Sequence, residues 1–245
     1  MYVDVYLYVT LCIKQAQKAL VCRQGQWFAE RCPGVVSEGG SMVRKTKAEA
    51  EQTRRKIIDA ARCVFHECGV SRTSLEKIAR VAGVTRGAVY WHFENKAELF
   101  FAMREDSLAV LDEVDVYLDL PDIPNPIDGI EQSLQTFFHI IDEHAEVRQV
   151  FEIMTLRCEY VDEFSQLLQK VNKPRMDFLA QLIASYQRAA DKGYLRPGLD
   201  PAGVAHDTLS FTVGLLNNWL SSQPGTLLRL KVQDMIHQHL ALRRP

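Results

Sequence analysis

The sequence predicts an all-α protein. Three observations carry this expectation: apolar residues recur at helical spacing in segment after segment beyond residue 48, start and stop residues bracket those segments, and no run among the 245 residues reads as a convincing strand. Hydrophobic residues make up 47% and charged residues 24%, the balance of a globular chain, which excludes disorder as the dominant state. No stretch approaches the roughly 18–20 uncharged apolar residues of a membrane-crossing helix, so no membrane partner is expected.

Residues 1–41 differ in character from the rest. Tyr and Val mix from Tyr2 to Val9, Asp4 interrupts the start, and no basic segment precedes the apolar one, which argues against a secretory signal. The composition changes abruptly at Met42-Val43-Arg44-Lys45-Thr46-Lys47. The expectation is that Met42 is the natural start and that residues 1–41 are an upstream extension with little stable structure.

The first helix is expected over 48–68, where Ile57, Ile58, Ala61, Val64, Phe65 and Cys68 share one stripe and Gly69 supplies the stop. Thr73-x-x-Glu76 has the form of a capping box and opens a short second helix with Leu75, Ile78, Ala79 and Ala82 inward. Gly83 makes the turn, and Thr85 caps a third helix over 86–92. Asn95-x-x-Glu98 starts a long fourth helix expected to run to about Leu118.

Two short helices joined by a tight Gly-containing turn, with a supporting helix before them, form a helix-turn-helix. They lie in a basic block: residues 42–96 carry 12 Lys and Arg against 6 Asp and Glu, a net of +6, whereas residues 97–245 carry 13 against 22, a net of −9. A basic block ahead of an acidic body points to a polyanion as partner of the first part. Thr85-Arg86-Gly87-Ala88 opens the third helix with small residues that permit close approach to base edges, and Arg86 can donate two hydrogen bonds to guanine. Tyr90, Trp91 and His92 end it with polar-tipped rings suited to phosphates. Lys96 is a cation at a helix N-terminus, where the dipole disfavours it unless a phosphate sits there.

The stretch Thr46 to Arg104 resembles the DNA-binding domain of the TetR family of bacterial regulators. The residues that carry the resemblance are Arg55 to Ala61, Ser74 to Ala79, Ala82-Gly83-Val84 and the string Gly87-Ala88-Val89-Tyr90-Trp91-His92-Phe93-x-Asn95-Lys96-x-Glu98-Leu99. Val43 to Lys47 is similar to the opening of the AcrR/TtgR-like branch, whose members repress multidrug efflux pumps. The resemblance implies a DNA-binding domain over 42–97 and a ligand-binding and dimerisation domain over 98–245. It gives Thr85 and Arg86 as base-edge readers, Gly87 and Ala88 as groove-facing residues, and Ser74, Tyr90, His92 and Lys96 as phosphate contacts, with Trp91 between packing and phosphate. Val89 and Phe93 are expected in the core.

Beyond the rigid break Pro121 to Pro126, helices are expected over about 127–143, 146–160, 162–191, 201–221 and 226–242, with Gly193 ending the third of these. The resemblance assigns the last two to a dimer interface, which matches the need of a helix-turn-helix to present two recognition helices to a palindromic operator. It also implies a pocket among the middle helices, for which Phe137, Phe138, Ile141, Phe151, Met154, Cys158, Met176 and Leu179 are the candidate lining, an adaptable apolar surface. Thr155, His139 and Glu152 are candidate polar anchors.

The function implied is a cytoplasmic, dimeric repressor on double-stranded DNA, released by a small apolar or amphipathic inducer and controlling a multidrug efflux operon. A repressor or activator of lipid or primary metabolism that senses an acyl or metabolite ligand is the alternative. No G-x-G-x-x-G, P-loop, H-E-x-x-H or G-x-S-x-G motif is present, so no enzyme is expected. The six cysteines form no C-x-x-C, and Cys63, His66 and Cys68 do not share one helical face. Reduced thiols, no metal and no cofactor are expected.

Overall fold

The computed structural model describes residues 46–245 apart from 115, 120–122, 161–163 and 165–166; the expectations for residues 1–41 lie outside the described residues. Every regular element among the described residues is helical. The N-terminal unit contains α1 (Lys47–Cys68), α2 (Leu75–Ala82), α3 (Arg86–His92) and α4 (Lys96–Leu108). Thr46 caps α1 through a reciprocal box with Glu49, and Gly69 ends it with φ at 78°. Ile57, Val64 and Phe65 of α1, Ile78 of α2, Val89 of α3 and Leu99, Phe100 and Met103 of α4 have no solvent exposure. They close one core, with the Phe65 and Phe100 ring centroids 6.1 Å apart.

Two expected elements differ. The cap of α2 is Ser74, whose hydroxyl accepts from Lys77 N at 3.2 Å; Thr73 is buried and donates its hydroxyl to Gly69 O at 2.8 Å, tying off the end of α1 instead. The fourth helix does not run to Leu118. It stops at Leu108, tightens into a 3-10 turn (Ala109–Glu113) and resumes as α5 (Val116–Asp119). Cys68 is a buried free thiol and Cys158 a half-buried one.

The second unit is built from α6 (Pro126–Glu143), α7 (Ala145–Glu152), α8 (Leu167–Asp191), α9 (Pro201–Ser221), α10 (Leu227–Leu230) and α11 (Val232–Ala241). The segment expected as one helix to residue 160 leaves the α-helical register after Glu152 as a π turn (Ile153–Arg157). The segment expected over 226–242 is broken at Lys231. Asn125 and Asp200 cap α6 and α9, each followed by Pro at the first helical position, where its missing N–H costs nothing. α8 packs on α9, α6 and α5, and α11 packs on α6. Their shared core holds Ile127, Ile130, Leu134, Phe138, Ile141, Leu182, Tyr186, Trp219, Ile236 and Leu240. The Tyr186 hydroxyl meets Thr208 Oγ1 at 2.8 Å in this core, where burial pushes its phenol up to about 12. Arg244 clamps the chain end to α6 through Asp128 at 2.6 Å and Glu131 at 2.9 Å. Among the described residues no helix is long and apolar enough to cross a membrane.

Two predictions concern this packing. A Cβ on Gly129 would stand 2.6 Å from the Tyr117 carbonyl oxygen, so α6 approaches α5 only without a side chain there. Gly129→Ala is expected to cost about 1–3 kcal/mol in urea unfolding despite the better helix propensity of Ala. The second concerns His239, which stacks on Phe211 at 3.9 Å. Burial, with Arg243 adding, lowers its imidazole from 6.5 to about 4. The unfolded chain therefore takes up this proton first as pH falls, so stability is lost between pH 6.5 and about 4. The His239→Gln variant should show a smaller loss across that window in paired denaturation curves.

Candidate nucleic-acid interface and ligand cavity

The turn between α2 and α3 is set by Gly83, which takes the left-handed conformation at φ 66° and ψ 29° and returns its N–H to Ala79 and Arg80 carbonyls. Thr85 Oγ1 then accepts from Ala88 N at 3.1 Å and starts α3. Because Val89 and Phe93 point into the core, the opposite face of this seven-residue helix points out. Thr85, Arg86, Gly87, Tyr90 and Trp91 are exposed, and Ala88, His92 and Lys96 are half-buried. Trp91 is 73% exposed, and among the described residues its ring meets the edge of His92 at 4.5 Å, so packing in the core does not explain it. Gly87 does not need its backbone freedom: a Cβ there would meet only Thr85 Oγ1, at 3.9 Å.

Arg86 is held in place. Its Nε lies 3.1 Å from Glu76 Oε1, and its guanidinium stands 5.2 Å from the Tyr90 ring centroid. Backbone hydrogen bonding first, then Ser74 and Arg86, hold the Glu76 carboxyl below its usual value. Ser74 spends its oxygen on the cap of α2 but stays exposed beside this pair. Lys96 reaches back to Ser71 O at 3.5 Å and lies 5.5 Å from the Phe164 ring. Asn95 caps α4 by accepting from Glu98 N at 2.8 Å, while the Glu98 carboxylate accepts from Glu94 N at 2.7 Å.

A cavity of about 600 Å³ is walled by α4, α6, α7 with its π turn, α8 and α9. Of the eight candidate lining residues, Phe137, Phe151 and Met154 line it. Phe138, Ile141 and Leu179 do not: they are buried in the helical core. A step of one residue turns a helix by about 100°, which separates Phe137 from Phe138. Met176 is 52% exposed and lies off the lining stripe of α8, which runs Leu168, Val171, Asn172, Arg175 and Phe178. Cys158 is half-buried beyond the π turn and does not line the cavity; burial, with Glu159 adding, pushes its thiol up to about 11.

Thr155 lines the cavity, but His139 does not, and Glu152 is turned away to pair with His66. Sequence reasoning missed Arg104, Glu105, Tyr160, Asn172, Arg175, Thr212 and Asn217, all polar groups in the wall. Tyr160 donates to Met154 O at 3.1 Å, bracing the π turn. Burial raises its phenol far above the ordinary range. The two units meet at that turn: Val70 N donates to Arg157 O at 3.0 Å, His66 of α1 pairs with Glu152 of α7, and α4 packs on both α1 and α7.

The family model for bacterial regulatory proteins of the tetR family matches residues 57–103, and that for the C-terminal region of MAATS-type transcriptional repressors matches residues 125–244. The chain is 35% identical over 179 residues to the HTH-type transcriptional regulator TtgR of Pseudomonas putida, covering 73% of this chain and 85% of TtgR. Among solved structures it is similar to NalD, the secondary repressor of the MexAB-OprM multidrug efflux pump in Pseudomonas aeruginosa. The TM-score is 0.72 and the identity 29%, over 81% of this chain and 98% of NalD. SmeT, repressor of the Stenotrophomonas maltophilia multidrug efflux pump SmeDEF, in complex with triclosan, matches with a TM-score of 0.68 and 31% identity, over 79% of this chain and 92% of SmeT. A helix-turn-helix with its reading face bare, joined to a helical body that matches a repressor C-terminal region, places the chain in the TetR family of bacterial regulatory proteins.

Proposed function

We propose that the chain is a cytoplasmic transcriptional repressor that binds a palindromic double-stranded operator as a homodimer, controls a multidrug efflux operon, acts by binding alone without catalysis, and leaves DNA when a small apolar or amphipathic inducer fills the cavity. The observation that carries this reading is that one helix serves both parts. α4 packs on α1 of the helix-turn-helix unit and buries Leu99, Phe100 and Met103, and it walls the cavity with Arg104, Glu105 and Leu108. The roles of NalD and SmeT as repressors of multidrug efflux pumps support the efflux assignment.

In this reading α3 enters the major groove with Arg86 donating to guanine O6 and N7, Thr85 beside it, and Gly87 and Ala88 allowing the close approach. Ser74, Tyr90, Trp91, His92 and Lys96 hold the flanking phosphates, which position the helix without reading sequence. The Glu76 contact preorders Arg86 while it waits for a base. Dimerisation through α9 and α11 spaces two such helices by about one DNA turn, roughly 34–36 Å. Half-buried Phe211 of α9 and Met235 of α11, with the 72% exposed Leu227 of α10 beside them, leave apolar surface for a second subunit.

The test is fluorescence anisotropy with a duplex from the region upstream of the gene. Arg86→Ala should weaken specific binding by about 1–3 kcal/mol, roughly 5–150-fold. Unchanged binding removes Arg86 from the reading role. A strictly monomeric protein that ignores such duplexes at low ionic strength removes the whole reading.

A further inference from the structure

We infer that the cavity takes an anionic amphipath, an apolar body bearing one carboxylate or comparable acid group, whose charge is held by the Arg104 guanidinium. This rests on the reading of the cavity as the inducer site and names the chemistry of its ligand.

Arg104 is the unusual residue of the wall. It is 6% exposed, its Nε has no hydrogen-bond partner among the described residues, and it sits on α4 facing about 600 Å³ of open volume. A guanidinium carries five donors and cannot shed its charge, so a buried one with unused donors is costly unless an acceptor arrives. Its neighbours satisfy it only in part. Nη1 pairs with Glu105, a wall residue whose side chain is 56% exposed, and the Phe101 ring centroid is 5.9 Å away. Carboxylates match the guanidinium fork in two parallel bonds, which makes an acid group the natural occupant.

Charge points the same way. Residues 97–245 carry a net of −9, yet the charged residues lining the cavity are Arg104, Arg175 and one carboxylate, Glu105. A site for cations in so acidic a domain would not collect two arginines. Leu108, Phe137, Phe151, Phe178 and Leu216 supply the apolar remainder, rich in rings that suit a flat body. The position of Arg104 also gives the acid group a purpose: it follows Met103, a core residue of the DNA-binding unit, so the charge is seated on the helix that must move.

Three probes with one ring system separate the possibilities: 2-naphthoate, the neutral 2-naphthalenemethanol and the cationic 2-naphthylmethylammonium, titrated into the full chain by calorimetry at pH 7. Naphthoate should bind about tenfold tighter than the alcohol, with the ammonium weakest. Arg104→Met should bring naphthoate and alcohol to near parity, and Arg104→Lys should keep part of the preference. The wild-type series needs no variant, so a misfolded substitution leaves the comparison standing. The inference is overturned if the alcohol or the ammonium binds as tightly as naphthoate, if none of the three binds, or if folded Arg104→Met keeps the preference. Operator anisotropy on the same samples keeps the two readings apart. Release by the alcohol or ammonium leaves ligand-gated repression in place and removes the anion. Naphthoate selectivity in a chain that binds no operator does the reverse.

Discussion

Helix α4 belongs to two packed regions at once, and the link between cavity and DNA-binding unit depends on that sharing. Its residues Leu99, Phe100 and Met103 are sealed against α1 and the recognition unit, with the Phe100 ring 6.1 Å from Phe65 on one side and 5.6 Å from Phe164 on another. One residue further on, Arg104 already faces the cavity, and Leu108 follows a turn later. A helix closed by its own i to i−4 bonds moves as a unit, and dense interiors pass small displacements on rather than absorb them. A displacement of Arg104 or Leu108 is therefore also a displacement of the α4 residues that pack on α1, and α1 in turn packs on α2 and α3.

A second path runs beside the first. The π turn Ile153–Arg157 offers Met154 and Thr155 to the cavity while Arg157 O holds Val70 N, and Glu152, one residue before the turn, holds His66. Single π turns are rare, depart from the α-helical register and occur frequently at functional sites. The energetic demand on such a device is modest. A ~100-fold loss of operator affinity needs roughly 2.7 kcal/mol of coupling, on the scale of a few hydrogen bonds and contacts exchanged between two arrangements. A ligand produces that shift only through its different affinity for the two states, which is why the chemistry of the cavity wall matters as much as its size.

Much of this was legible in the sequence, and the limits have physical causes. Gly69, Gly83, Thr85 and Asn95 mark ends and starts that the structure repeats, because each satisfies a backbone need readable from one residue type. Thr73 misled because Ser74 beside it has the same hydroxyl chemistry, and only the backbone decides which one faces Lys77 N. The ends of α4 and α7 were hidden because a 3-10 or π turn keeps the apolar content of the helix it interrupts. In the cavity, periodicity finds the apolar face of α6 but not which flank of it meets other helices, so Phe137 and Phe138 look alike until the chain is folded. Arg104 was not among the candidate lining residues. The available hint was its place in the run Leu99 to Met103, where a cation has no reason to sit unless something apolar is wrapped around it.

The shared-helix account is tested most directly by filling the cavity without a ligand. Val171 lines it from α8, on a different helix from both α4 and the reading surface. The Val171→Trp variant, checked for an unchanged fold and oligomeric state, should bind operator at least about tenfold more weakly than the parent chain in direct titration, because a filled cavity favours the released arrangement. A folded variant that holds the operator as tightly as the parent would mean that cavity occupancy does not reach α3 through α4.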